Sequence, residues 1–172
     1  PASTPGIENN THGFPSLPSM DLSSGENLVI SEIMALNGST IKDDDGDYSD
    51  WIEIYNPTNY TISLKDYWLS DEEGNPFKWR FPDISIEPFQ YFLVFASGKD
   101  RVDLKKNILH TNFELSTRGE TVLLSYSSGM PIHVLKGGKF YSDISYGLNT
   151  AEDWEPLYFQ RATPGAPNSG QG

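Results

Sequence analysis

Apolar and polar positions alternate along this chain in short runs. Each run is stopped within a few residues by Gly, Pro, Asn or Asp. That spacing predicts short strands joined by turns rather than helices. Leu28 to Ala35, Trp51 to Tyr55, Thr61 to Leu64 and Tyr67 to Leu69 read as the first four strands. Phe77 to Phe81 alternates aromatic and basic residues, so one face is core and one is water. Phe89 to Ala96 is a continuous apolar run and reads as a central strand. Thr121 to Tyr126 and Ile132 to Leu135 flank Ser127-Ser128-Gly129-Met130-Pro131, a hairpin loop by its residues. Ile144 to Tyr146 and Leu157 to Phe159 complete the set, and Val102 to Leu109 has room for one helical turn. The expected core is Ile30, Ile33, Trp51, Ile52, Ile54, Leu64, Leu69, Trp79, Phe81, Phe92, Val94, Val122, Leu124 and Ile144. The pattern is that of an all-β sandwich of two mostly antiparallel sheets.

Residues 1–25 are Pro, Ser, Thr, Asn and Gly with scattered single apolars, and read as a flexible linker or tail. Thr163 to Gly170 has the composition of an exit linker. The globular body is therefore set at residues 26–168, with 169–172 as a short tail. The chain begins at Pro1 without Met, as an excised fragment would.

Composition narrows the function classes. The formal charge of -12 repels a phosphate backbone, and no concentrated basic patch offsets it. Nucleic acid and anionic membrane surfaces are therefore poor partners. No apolar run approaches the roughly 20 residues of a membrane span. With no cysteine there is no thiolate zinc site, thiol nucleophile or disulfide.

The densest chemistry is Asp43-Asp44-Asp45-Gly46-Asp47-Tyr48-Ser49-Asp50, which runs directly into the strand Trp51-Ile52-Glu53-Ile54-Tyr55 and stops at Asn56-Pro57. Asp43, Asp45 and Asp47 alternate, Gly46 permits a sharp turn, and Asp50 offers a further oxygen, with Glu53 a weaker donor on the strand. Calcium takes six to eight oxygen ligands. The expectation is one calcium ion held by Asp43, Asp45, Asp47 and Asp50, against the competing reading of a solvated acidic loop that aids solubility. Gly46 is fourth from Asp43, so this is not an EF-hand.

This block, with what surrounds it, resembles the lamin-tail domain. That domain is an immunoglobulin-like β-sandwich found at the end of nuclear lamins and in many bacterial secreted and surface proteins. The similarity rests on an ordered series: Val29 to Ala35, Trp51 to Asn56, Leu64, Tyr67 and Leu69-Ser70-Asp71, Trp79-Arg80-Phe81-Pro82, Ile86-Glu87-Pro88, and Tyr91 to Ala96. It continues with His110 to Ser116, Gly119-Glu120, Asp143 to Gly147, and Thr163-Pro164-Gly165-Ala166-Pro167-Asn168. Phe89 stands where the family pattern has Gly. The resemblance implies a binding or scaffold module rather than an enzyme. It further implies a part of a larger bacterial protein, secreted or in the cell envelope. The sandwich pattern, the two linker-like ends and the absence of a catalytic signature lead to the expectation of attachment to a protein or glycan ligand by a domain that is monomeric when isolated. The alternative class is a small calcium-dependent hydrolase built on the acidic loop.

Other motifs add little. His12 lies in the tail, His133 alternates within a strand, and His110 sits in Leu109-His110-Thr111-Asn112 without a nucleophile elbow elsewhere. Trp51 and Trp79 read as core, and Trp154 as the most exposed tryptophan. Asn37-Gly38-Ser39 and Asn59-Tyr60-Thr61 fit the N-glycosylation triplet.

Overall fold

The computed structural model describes residues 27–169, so the expected tail and its His12 lie outside the described residues. The strands are β1 (Val29–Met34), β2 (Asp50–Tyr55), β3 (Ile62–Ser63), β4 (Tyr67–Ser70), β5 (Trp79–Arg80), β6 (Ser85–Ile86) and β7 (Tyr91–Ala96). They continue as β8 (Arg101–Asp103), β9 (Ile108–His110), β10 (Glu120–Tyr126), β11 (Pro131–Gly137), β12 (Ser145–Leu148) and β13 (Pro156–Phe159). Among the described residues there is no helix, and so none that is long and apolar enough to cross a membrane. The expected helical turn at residues 102–109 is instead the hairpin β8–β9, closed by a turn at Leu104 to Asn107. Its apolar spacing imitates a helix because two strand residues and a tight turn fall about four apart.

Seven strands form one sheet in the order β13-β12-β1-β2-β7-β9-β8, and four form a second, β11-β10-β4-β5. Only β7 and β9 run parallel among the seven. The sheets face each other over one core. Ile30, Ile52, Ile54 and Val94 come from the first, and Leu69, Trp79, Val122, Leu124 and Leu135 from the second. The small pair β3–β6 adds Ile62 and Ile86 to the same core. Two expected core residues, Phe92 and Ile144, are only half-buried. Phe92 still packs against the core from β7, whereas Ile144 lies just before β12.

The turn after β2 is made by its first residue. Asn56 is buried; its amide donates to the carbonyls of Tyr60 (2.8 Å) and Ile86 (3.1 Å), and its oxygen accepts from Thr58 N and Oγ1. Phe89, in the place of the family's glycine, takes a positive φ of 58° and is left exposed. Of the two glycosylation triplets, Asn37 is buried and bonded to Ile41 O and Ser49 O, whereas Asn59 is exposed.

The alternation of β2 has a second consequence. Trp51 and Glu53 point away from the main core, yet both are buried. Trp51 packs with Met34 and Phe95 in a separate cluster on the outer side of the large sheet, flanked by Ile41 and Ala162.

His133 ties the two sheets together. It is buried on β11, and its Nδ1 accepts the amide of Ile30 on β1 at 2.8 Å, beside a bulge between Ile30 and Glu32. Burial pushes its imidazole from 6.5 down to about 4. The folded state thus binds fewer protons than the unfolded chain between those values. The contribution of His133 is fully present above pH 6.5 and is lost as pH falls through about 4. This limb, worth roughly 3 kcal/mol, should appear as the difference between thermal-melt series of the parent and of a His133 variant, since buried carboxyls titrate in the same range with the opposite sign. In His133→Gln, whose amide oxygen can accept the same hydrogen bond, stability relative to the parent should rise by about that amount as pH falls from 6.5 to 4.

Candidate functional site: an acidic loop closed by basic side chains

The acidic loop is organised by Asp43. Its Oδ1 accepts the amides of Asp45 and Asp47, both at 3.0 Å, and its Oδ2 accepts the Ser49 hydroxyl at 2.7 Å. Asp43 N donates to Asp47 O and Gly46 N to Asp43 O, closing a tight turn. Gly46 supplies the positive φ of 86° that this turn requires.

The segment after β7 faces this loop. Gly98 and Asp100 take positive φ, which projects Lys99 and Arg101 from alternate positions toward the same carboxylates. Lys99 Nζ lies 2.7 Å from Asp43 Oδ2, 2.7 Å from Asp45 Oδ2 and 2.9 Å from Asp47 Oδ2. An ammonium has three N–H donors, and here each has its own carboxylate. Arg101 Nη2 lies 2.7 Å from both Asp44 Oδ1 and Asp45 Oδ2. The Asp43 side chain is 0% exposed. Burial raises its pKa, but the Lys99 ammonium, Ser49 and two backbone amides outweigh burial and hold it well below the usual carboxylate range. Lys99 is held above its ordinary value, because its three carboxylates outweigh desolvation. The His110 hydrogen bond lowers Asp44, and Lys99 lowers Asp45.

Three of the four expected calcium ligands converge. One oxygen from each of Asp43, Asp45 and Asp47 lies within 4.8 Å of the others. The lysine ammonium contacts all three, where a shared cation would also bind. Asp50 stands apart: its Oδ2 accepts Leu115 N at 3.2 Å, and burial pushes its carboxyl up to about 6. Glu53 is also elsewhere, bonded to Ser31 Oγ and Gly165 N.

Beside this cage runs a chain of Ser97, His110 and Asp44. Ser97 Oγ accepts Lys99 N at 3.2 Å and lies 2.8 Å from His110 Nδ1; His110 Nε2 lies 2.8 Å from Asp44 Oδ1. The arrangement is consistent if Ser97 donates to Nδ1 and Nε2–H donates to Asp44. Serine hydrolases use the same three residue types with the ring turned end for end, the serine facing Nε2. Here the amides next to Ser97 are committed, Gly98 N to Phe113 O and Asp100 N to Thr111 O. They offer no oxyanion site. The chain therefore fixes the acidic loop to β7 and β9. A cleft of about 440 Å³ opens beside it, between Asp44, Arg101, Val102, Leu104, Ile108 and His110.

Lys99, Arg101, Ser97 and the pairing of His110 with Asp44 were not evident from sequence. Lys99 is 56 residues from Asp43, so no local pattern joins them. The usable signal was the cation spacing in Gly98-Lys99-Asp100-Arg101, opposite in sign to Asp43, Asp45 and Asp47. Trp154 is half-buried, as is Trp68, while Trp51 and Trp79 are buried; Trp154 packs 6.0 Å from Tyr55.

A family model described as Lamin Tail Domain matches residues 22–138, more than half of the chain. The match spans β1 to β11 and includes the acidic loop, both basic residues and His110, and it ends before β12. No curated protein matches the chain.

Proposed function

The chain belongs to the lamin tail domain family, and from that premise we propose that it is a non-catalytic attachment module of a larger secreted or cell-envelope protein of bacterial type. Its ligand is a protein or glycan surface, and it acts as a monomer. The observation that carries this reading is an aromatic and cationic patch on the four-stranded sheet. Trp68 and Arg80 are direct cross-strand partners on β4 and β5, with the guanidinium 6.0 Å from the indole ring. Phe77 meets Trp68 edge to face at 5.4 Å and is 43% exposed. Met130, at the tip of the β10–β11 hairpin, is 58% exposed. Arg80 Nε donates to Lys65 O at 3.0 Å, which pre-orients its head.

Tryptophan, arginine and exposed aromatics are the side chains that dominate binding surfaces, and the indole face suits a sugar ring or an apolar side chain. The net charge of -12 supports partners other than nucleic acid. The engaged amides beside Ser97 support a site that positions rather than cleaves. A calcium-dependent hydrolase, the other class that the sequence leaves open, would first have to expel Lys99 from the carboxylates.

The test has two arms. The chain is screened on a glycan array and by capture from envelope extracts, then repeated as Trp68→Ala and Phe77→Ala. Each variant should weaken capture at least tenfold while melting within a few degrees of the parent. The same preparations should stay at background on nuclease, esterase and glycosidase substrates. Robust turnover by the parent chain would reject the module reading.

A further inference from the structure

The segment after β13 has a linker's composition but is seated on the fold. It turns at Gly165, where φ is 83° and Ala166 N bonds Thr163 O, and lies against the outer side of β1 and β2. Thr163 N donates to both oxygens of Glu32 at 3.2 Å, and Gly165 N to Glu53 Oε2 at 2.6 Å. Asn168 is fully buried and ends the segment: its Nδ2 donates to Ser31 O (2.8 Å) and Leu148 O (2.9 Å).

Glu32 and Glu53 are direct partners across β1 and β2, and both are buried. Their remaining bonds are neutral. The Ser145 hydroxyl on β12 bonds Glu32, and Ser31 Oγ bonds Glu53 Oε1 at 2.7 Å. Among the described residues no Lys, Arg or His is within ion-pair distance of either carboxyl. From β7 the titratable neighbour is Tyr91, itself an acid, and the strap presents only Thr163 and Gly165. Two carboxyl groups thus share a covered position with no cation.

We propose that residues 162–168 form a pH-gated latch, closed over β1 and β2 while at least one of Glu32 and Glu53 is protonated, and released when both ionise. Desolvation in this dry site opposes ionisation of either carboxyl, and a charge on the cross-strand partner adds repulsion. Burial accordingly pushes Glu32 up to about 7 and Glu53 to about 8. Both values are raised, so the closed state keeps protons that an open, hydrated state gives up near 4.5. Latch stability is therefore complete below pH 4.5 and is lost as pH rises through 7 to 8. Ala162 packs on the Met34–Trp51–Phe95 cluster, so release uncovers an apolar surface. The latch stands apart from the attachment reading, since it uses neither Trp68 nor the face around it.

Hydrogen exchange by mass spectrometry tests it on the whole chain. Protection of a peptide covering 160–169, corrected for intrinsic rates, should fall at least tenfold between pH 6 and 9. Peptides from β4 and β10 should keep theirs. Glu32→Gln and Glu53→Gln should each hold the strap closed at pH 9. Unchanged protection in the parent chain overturns the latch, as does the same loss in both Gln variants. Should a variant fold poorly, tryptophan emission of the parent supplies the second measurement. A red shift centred between pH 7 and 8 supports the latch, and a flat profile rejects it.

Discussion

Gly147→Ala should lower stability by about 3–5 kcal/mol, on the order of 10 °C in melting temperature, the largest effect expected from one added methyl group here. Gly147 lies on β12 opposite Glu32 on β1. A Cβ at this position would sit 2.2 Å from Ser31 O, 2.8 Å from Glu32 Cα and 3.0 Å from Asn168 Nδ2. Two of those atoms are backbone and cannot swing aside. The cause is the bulge in β1 between Ile30 and Glu32, which brings the Ser31 carbonyl close to the neighbouring strand. That same carbonyl is the acceptor for Asn168. An alanine would thus part β12 from β1 and displace the end of the strap together. Gly74→Ala is the control. Nothing lies within 4 Å of its added Cβ, so urea titration should place it within about 0.5 kcal/mol of the parent. Equal stability of the two variants would mean that the β1–β12 contact is looser than described.

The same region shows what a sequence can reveal. β2 is legible because Trp51 to Tyr55 alternates and Asn56-Pro57 stops it. Alternation assigns Ile52 and Ile54 to one face correctly, but it treats the opposite face as wet. Here that face is covered by the segment around Ala162 to Asn168, more than a hundred residues away, which is why Glu53 is buried rather than a donor to the acidic loop. β8 and β9 escape recognition because each has three residues and the connection is polar. The acidic cluster could be read directly, since Asp43, Asp45 and Asp47 are local and do converge. Their counterion could not, because Lys99 comes from the far end of β7 and is fixed by topology rather than spacing.

Lys99→Met should lower stability by about 2–3 kcal/mol and should make the domain responsive to calcium. The substitution keeps most of the side chain's length and removes its charge. Asp43, Asp45 and Asp47 would then face one another with Arg101 as the remaining cation, bonded to Asp45 but to neither of the other two. The Asp43 carboxylate is fully buried, so its charge would be left without a partner in a poorly solvated position. In the parent chain a calcium ion has to expel the ammonium before it reaches these oxygens, and millimolar calcium should move the melting temperature by no more than a degree or two. In Lys99→Met the ammonium is gone, leaving Asp43 Oδ2 with Ser49 and Asp45 Oδ2 with Arg101 as their remaining partners. An ion at a hundredfold excess over its dissociation constant would return roughly 2.7 kcal/mol, close to the whole loss. Magnesium should rescue less, because it demands a near-ideal octahedral shell and gives up its water reluctantly, and Asp43 is already fixed by Asp45 N, Asp47 N and Ser49. Adding Asp45→Asn to the variant removes one ligand charge and should abolish the rescue. Scanning calorimetry in chelator and in millimolar calcium decides the matter. If the parent gains as much from calcium as the variant, the ion and Lys99 do not compete. If the variant melts with the parent in chelator, the lysine does not hold the loop.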